Sequence, residues 1–337
     1  MIKISIIIPV YNVLQYIADC LDSILAQDVD KSSYEIIIVD DCSPYGEKEI
    51  VDTYLGSYDY VRYIKHDVNK RQGGARNTGI RAAKGEYVMF IDGDDCFLYA
   101  NVLSVLLKLA DSKKSNVIRT EVYKTIDSNS RFRQLQTEYS SFDENYINPN
   151  SRSFMDWRSG RFSCSVWASL YKREFLLEHN LWFRENVWFE DTDWTNKTLY
   201  YAGTIDFIDF PFYGYRQSPE STTRGYSVAA FEGNVEGILE TYIFYKDVIA
   251  ENNDFWNVLR EGFVHNVIGL LKTSCNYPIK KSYKILNKLN DIGLTSLKSQ
   301  SHKMNSILCM MRYMPLLPIC IVKLSVMMKR WINNLLP

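Results

Sequence analysis

A chain of 337 residues, 46% hydrophobic and 23% charged, is long enough for two domains, or for one large domain with an appendage, and apolar enough to bury a core. Its 39 basic and 40 acidic residues nearly cancel, which argues against a dedicated nucleic-acid binder. The seven cysteines (Cys20, Cys42, Cys96, Cys164, Cys275, Cys309 and Cys320) show no zinc-ligand spacing, and the first residues enter a strand pattern with no signal peptide. Reduced thiols in a cytoplasmic protein are expected.

The apolar run Ile4 to Val10 reads as a buried strand. Ile17, Cys20, Leu21, Ile24 and Leu25 follow at helical spacing. Ile36 to Val39 is a second buried strand, 46–56 a helix and Val61 to Ile64 a strand. Gly74 to Lys84 reads as a helix stopped by Gly85 at its C-terminal cap. A strand at Tyr87 to Ile91, a helix at 98–110 and a strand at 117–123 complete the alternation. Such alternation implies an α/β fold, a mainly parallel sheet with helices on both faces. Ligands bind such sheets outside the carboxyl ends of the strands. Polar residues do cluster there: Tyr11 and Asn12, then Asp40 and Asp41, then Asp92, Asp94 and Asp95. Residues 125–225 are less regular and hold Trp157, Trp167, Trp182, Trp188 and Trp194; from about 228 the pattern is helical.

Three carboxylates within Asp92-Gly93-Asp94-Asp95, after an apolar strand, suit a hard divalent cation shared with phosphate oxygens, Mn²⁺ or Mg²⁺. The same residues could instead form a polar loop with Asp95 as a helix N-cap. Asp40-Asp41 reads either as turn chemistry or as an acceptor for a base N–H. Tyr11, after Pro9 and Val10, could stack on a base. In Arg71-Gln72-Gly73-Gly74-Ala75-Arg76-Asn77-Thr78-Gly79 the glycine spacing fits neither a P-loop nor a dinucleotide fingerprint. Arg71 and Arg76 could reach phosphates, or Arg76 could tie down a carboxylate.

Taken in order, Pro9-Val10-Tyr11-Asn12, Val39-Asp40-Asp41-Cys42-Ser43, Gly74 to Gly79 and Asp92-Gly93-Asp94-Asp95 resemble glycosyltransferase family 2, which has the GT-A fold. The resemblance is close over 1–125 and thinner to about 225. It implies a GT-A catalytic domain over 1–225, with a nucleotide-sugar half (1–125) and an acceptor half (126–225), and a helical region over 226–337. It further implies that Pro9, Tyr11 and Asp41 line a base, with Asn12 beside them. Asp92 would serve the ribose or the metal, and Asp94 would ligate the metal. Asp191 would be the general base, with Glu190 orienting it or touching the acceptor; from pattern alone Asp191 reads as a helix N-cap. Arg216 and Ser221 would meet the departing diphosphate, although a solvated loop is the other reading.

The implied activity is inverting transfer of one hexosyl or N-acetylhexosaminyl unit from a nucleotide diphosphate sugar, with uracil as the base by family habit. The acceptor would be a glycan or a lipid-linked oligosaccharide of surface polysaccharide synthesis. Processive synthases carry Gln-x-x-Arg-Trp, and here Met327 stands at the Gln position before Arg330-Trp331. A non-catalytic sugar-nucleotide scaffold and a nucleotidyltransferase are the competing readings.

No acidic residue follows Asp291, and 319–336 reads as a basic amphipathic helix. The longest uncharged run, Tyr313 to Val322, is too short to span a bilayer, so peripheral contact with an anionic membrane face is expected. Packing on its own domain or on a second copy of the chain is the alternative.

Overall fold

The structure, a computed structural model, describes residues 1–44, 46–113, 115–120, 122–139, 141–143, 150–154, 164–167, 169–217, 227–250, 253–274 and 276–335. Packing divides the chain into two units, Met1–Tyr226 and Ser227–Pro337. In the first, the strands are β1 (Ile4–Val10), β2 (Tyr34–Asp40), β3 (Val61–Lys65), β4 (Tyr87–Phe90), β5 (Cys96–Phe97), β6 (Val117–Thr120), β7 (Lys124–Asp127), β8 (Asn150–Ser153), β9 (Ser169–Lys172), β10 (Thr204–Ile208) and β11 (Tyr213–Gln217). The helices between them are α1 (Ile17–Leu25), α2 (Glu47–Leu55), α3 (Arg71–Ala82), α4 (Val102–Lys113), α5 (Phe132–Glu138), α6 (Arg173–Glu178) and α7 (Glu190–Ala202).

Every residue of β1 and β2 is buried, as a parallel strand covered on both faces requires. Ile4, Ile6, Ile8 and Val10 join a core with Ile17, Cys20, Leu21 and Ile24 of α1, whereas Ile7 packs under Gly79 of α3 on the opposite face. The main sheet runs β3-β2-β1-β4-β9-β6-β10-β8. β3, β2, β1 and β4 are parallel neighbours, β9 is antiparallel to both β4 and β6, and β8 is antiparallel to β10. The carboxyl ends of β1, β2 and β4 therefore share one edge. A small sheet β5-β11-β7 stands at that edge. The result is an α/β, mainly parallel sheet flanked by helices, in line with the GT-A expectation.

Two local readings need correction. The segment after β4 does not enter a helix at 98: Cys96–Phe97 pairs with β11, the Leu98 N–H donates to the Phe212 carbonyl at 2.9 Å, and α4 begins only at Val102. Gly85 is not a left-handed cap either. α3 ends at Ala82 with an extended Ala83 (ψ 140°), and Gly85 is needed because the chain there runs against β1. A Cβ at Gly85 would lie 2.6 Å from the Ser5 amide nitrogen. Of the tryptophans, Trp194 is a core residue stacked on Phe183 at 4.1 Å, Trp167 stacks on Tyr213 at 4.1 Å, and Trp157 lies outside the described residues.

The second unit is helical: α8 (Val228–Val248), α9 (Asp254–Ser274), α10 (Ile279–Asp291), α11 (His302–Tyr313) and α12 (Leu316–Leu335). Ser227 and Ser301 cap α8 and α11 through their hydroxyls.

Gly85→Ala should lower stability by about 1–3 kcal/mol, because backbone atoms of β1 cannot yield. A urea midpoint unchanged from wild type would show that β1 and Gly85 are not in close contact.

Candidate active site

The β2 end separates the roles of its two carboxylates. Asp40 is consumed by the turn: it accepts from the Ser43 N–H at 2.7 Å and from the Tyr63 hydroxyl at 2.5 Å. Asp41 Oδ1 accepts from the Lys70 N–H at 2.7 Å and lies 2.8 Å from His66 Nδ1. His66 Nε2 in turn lies 2.9 Å from Thr78 Oγ1, so the imidazole holds the Asp41 carboxylate in one orientation. Asp41 Oδ2 is buried and has no hydrogen-bond partner, an acceptor left open for a donor from outside the chain. At the β1 end Pro9 is buried within the strand, and Asn12 takes a left-handed φ of 55° with its N–H on Ser43 Oγ at 3.3 Å. Tyr11 between them is 51% exposed.

At the β4 end the Tyr213 hydroxyl accepts from the Asp92 N–H at 3.1 Å and donates to Asp95 at 2.7 Å. Asp95 also accepts from the Arg216 N–H at 2.8 Å. Asp95 is therefore an internal anchor, not a helix cap. Arg216, expected at the departing diphosphate, is instead 1% exposed. Its Nε donates to the Asp94 carbonyl at 2.7 Å and its Nη1 to the Ser130 carbonyl at 2.5 Å. Nε and Nη1 are thus spent on main-chain carbonyls, and Nη2, without a hydrogen-bond partner, lies 3.7 Å from Asp19 Oδ2, so Arg216 braces the acidic loop from beneath. Ser221 lies outside the described residues.

Arg76 joins two distant segments. Its Nη2 donates to Asp92 Oδ1 at 2.9 Å and its Nη1 to Glu190 Oε1 at 2.5 Å, and the residue is 3% exposed. It is a carboxylate tie, so the expectation that it reaches phosphate is corrected. Asn77 reinforces the tie: its side chain donates to the Phe183 carbonyl and accepts from the Phe183 N–H, both at 2.9 Å. Gly73 permits the approach, since a Cβ there would meet the Arg184 carbonyl at 2.1 Å. Glu190 is likewise buried on Arg76, beside Asp191 at the start of α7. Asp191 is the second residue of α7 and not its cap; the cap position is Phe189, at φ 58°. Arg71, at φ 63°, lies with its guanidinium 4.1 Å from the Trp188 ring centre. It has no carboxylate partner among the described residues.

Charge is concentrated here. Burial works against the Arg76 cation, but Asp92 and Glu190 outweigh it and keep the guanidinium charged. Burial raises the Asp94 carboxyl to about 6, with Asp92 adding repulsion. Asp191 is raised to about 7 by burial and by the neighbouring Glu190, against the pull of Arg76. Among the described residues no three His, Cys, Asp or Glu side chains are arranged to hold a metal ion. Asp92 and Asp94 could hold a hard cation only with substrate and water oxygens completing its shell. The raised Asp94 fits that use, since a cation would offset both the lost solvation and the repulsion from Asp92.

A carboxyl raised above its ordinary value is most favourable to folding when protonated, so its contribution falls as pH rises through the raised value. The metal-free protein should therefore lose stability as pH rises from about 4 to about 7, by on the order of 1–3 kcal/mol for Asp94. Asp94→Asn should abolish that share and melt higher than wild type at pH 8. Equal melting of the two proteins at pH 8 would refute the charge strain.

The family model described as glycosyl transferase family 2 matches residues 5–179. The uncharacterised glycosyltransferase EpsJ of Bacillus subtilis is 32% identical over 222 residues, 65% of this chain and 62% of EpsJ; the chain thus spans less than two thirds of that relative. A poly(ribitol-phosphate) beta-glucosyltransferase of Bacillus spizizenii is 48% identical over 94 residues, 28% of this chain and 15% of that one. The crystal structure of Staphylococcus aureus TarS 1-349 in complex with UDP-GlcNAc superposes with a TM-score of 0.71 at 20% identity, covering 97% of this chain and 92% of that one. With the family model spanning more than half its length, the chain belongs to glycosyl transferase family 2.

Proposed function

We propose that the protein transfers a single sugar, with inversion, from a uridine diphosphate sugar to a hydroxyl of a glycan, a lipid-linked oligosaccharide or a polyol-phosphate polymer of the cell surface. The carrying observation is the Arg76 tie, which fastens the strand-end carboxylate Asp92 to the segment bearing Asp191. Donor-side and base-side groups thereby belong to one constellation. The orphaned Asp41 Oδ2 supports recognition of a base N–H, with the half-exposed Tyr11 available to stack. The preference for uracil draws on the likeness to TarS, solved with UDP and with UDP-GlcNAc. A polyol-phosphate acceptor draws on the names of the poly(ribitol-phosphate) relatives.

Asp191 acts as the general base. Poised near neutrality, it is ionised in a large fraction of molecules and still basic enough to accept the acceptor hydroxyl's proton. As the oxygen attacks the anomeric carbon from the face opposite the diphosphate, an α-linked donor gives a β-glycoside. Asp92 and Asp94 would hold Mn²⁺ or Mg²⁺, whose charge, when bound, stabilises the leaving nucleoside diphosphate. Glu190 acts at one remove, through its charge on Asp191. With Arg216 turned inward, Arg71 on Trp188 is a cation available to an anionic substrate group. A scaffold that only binds the sugar nucleotide needs no tuned base, and Asp191 counts against that reading.

Asp191→Asn should retain donor binding and lose about 10²- to 10⁴-fold in turnover. In wild type, kcat/KM should rise with pH to a plateau above about 7, and chelation should abolish activity until Mn²⁺ or Mg²⁺ is restored. Near-normal turnover by Asp191→Asn would remove it from the role of base.

A further inference from the structure

Charge is segregated along the chain. The last 59 residues hold ten of the 39 basic residues and one of the 40 acidic ones, Asp291. Within that stretch Lys281 and Lys288 are paired with Glu232 and Glu236, and Lys323 donates to the Tyr277 carbonyl at 2.5 Å. Lys280, Lys284, Lys298 and Lys303 are exposed and lack a carboxylate partner among the described residues.

The same stretch exposes an apolar corner. α11 and the first part of α12 meet at 119°, and the side chains around the bend stand in solvent: Tyr313 68%, Met314 55%, Leu316 49%, Leu317 41%, Ile321 49% and Leu324 59% exposed. α12 buries Ile319 on its inner side, so its described part is apolar on both sides, with the outer side exposed. Tyr283 of α10 joins Met314, Leu316 and Leu317 in a shallow open groove, between the exposed Lys280 and Lys284 of its own helix. The side chains of 327–335, which held much of the amphipathic pattern read from sequence, lie outside the described ones.

We propose that this corner docks on an anionic lipid surface, the apolar side chains of 313–324 entering the interface and Lys280 and Lys284, on the helix of Tyr283, meeting lipid phosphates. No single helix among the described residues is long and apolar enough to cross a membrane, and the one pair that is so by length and composition, α11 with the first part of α12, is sharply bent; the contact proposed is at the surface. Charge decides between a bilayer and a second copy. Two-fold pairing through this face would bring the unpaired Lys280 and Lys284 of one copy toward those of the other, whereas an anionic bilayer is complementary to them. The proposal does not rest on the donor chemistry given above.

Flotation of the full chain tests it, using vesicles of phosphatidylcholine alone or with about 30 mol% phosphatidylglycerol. The protein should float with the anionic vesicles at least about tenfold better than with the neutral ones, and less well as salt rises. Leu316→Glu/Leu317→Glu/Leu324→Glu should abolish flotation with an unchanged melting temperature, since all three side chains are already in solvent. Lys280→Glu/Lys284→Glu should weaken binding and flatten its salt dependence. Absence of flotation on anionic vesicles would overturn the proposal. So would a concentration-dependent dimer that the triple Leu variant dissociates while flotation persists.

Discussion

A buried guanidinium shared by two carboxylates holds the catalytic half together. Arg76 comes from the helix after β3, Asp92 from the end of β4, and Glu190 from the first residue of α7. Removing one member would leave an uncompensated charge in a site with little water, which is far costlier than the net worth of the pair. The surrounding residues serve the same junction: Asn77 grips the Phe183 backbone, Gly73 leaves room for Arg184, and Tyr213 with Arg216 braces the acidic loop from the small sheet.

That junction also sets the chemistry. Burial first, and then the mutual repulsion of Asp92 with Asp94 and of Glu190 with Asp191, raise the carboxyls of Asp94 and Asp191 against the pull of Arg216 and Arg76. In a metal-free molecule this is a cost to folding. In the proposed reaction the same raised carboxyls would make Asp191 a usable base near neutrality and favour a divalent cation at the strand end. Stability and reactivity are set against each other by the same few side chains.

Much of the fold was legible because its signals are local. Apolar runs bounded by polar strand ends show β1, β2 and β4, and the rule that ligands gather at those ends picked out Asp41, Asp92 and Asp94 without reference to three dimensions. What was not legible depends on partners far along the chain. Arg76 could equally have met phosphate or carboxylate until Glu190, 114 residues away, was seen beside it. Arg216 looked like a loop cation because the carbonyls that bury it come from 94 and 127–130. Gly85 passes for a helix stop until β1 is found against it. His66 stands directly after β3, a strand end like the others, but its contact with Asp41, 25 residues away, is visible only in three dimensions.

The most direct test of the carboxylate junction is calorimetric titration of UDP into the wild-type protein and Asp94→Asn, with and without Mn²⁺, at pH 7.5. Mn²⁺ should tighten UDP binding by at least about tenfold in wild type, or about 1.4 kcal/mol, and give no gain in the variant. Equal enhancement in both proteins, or none in wild type, would contradict a cation held at the end of β4.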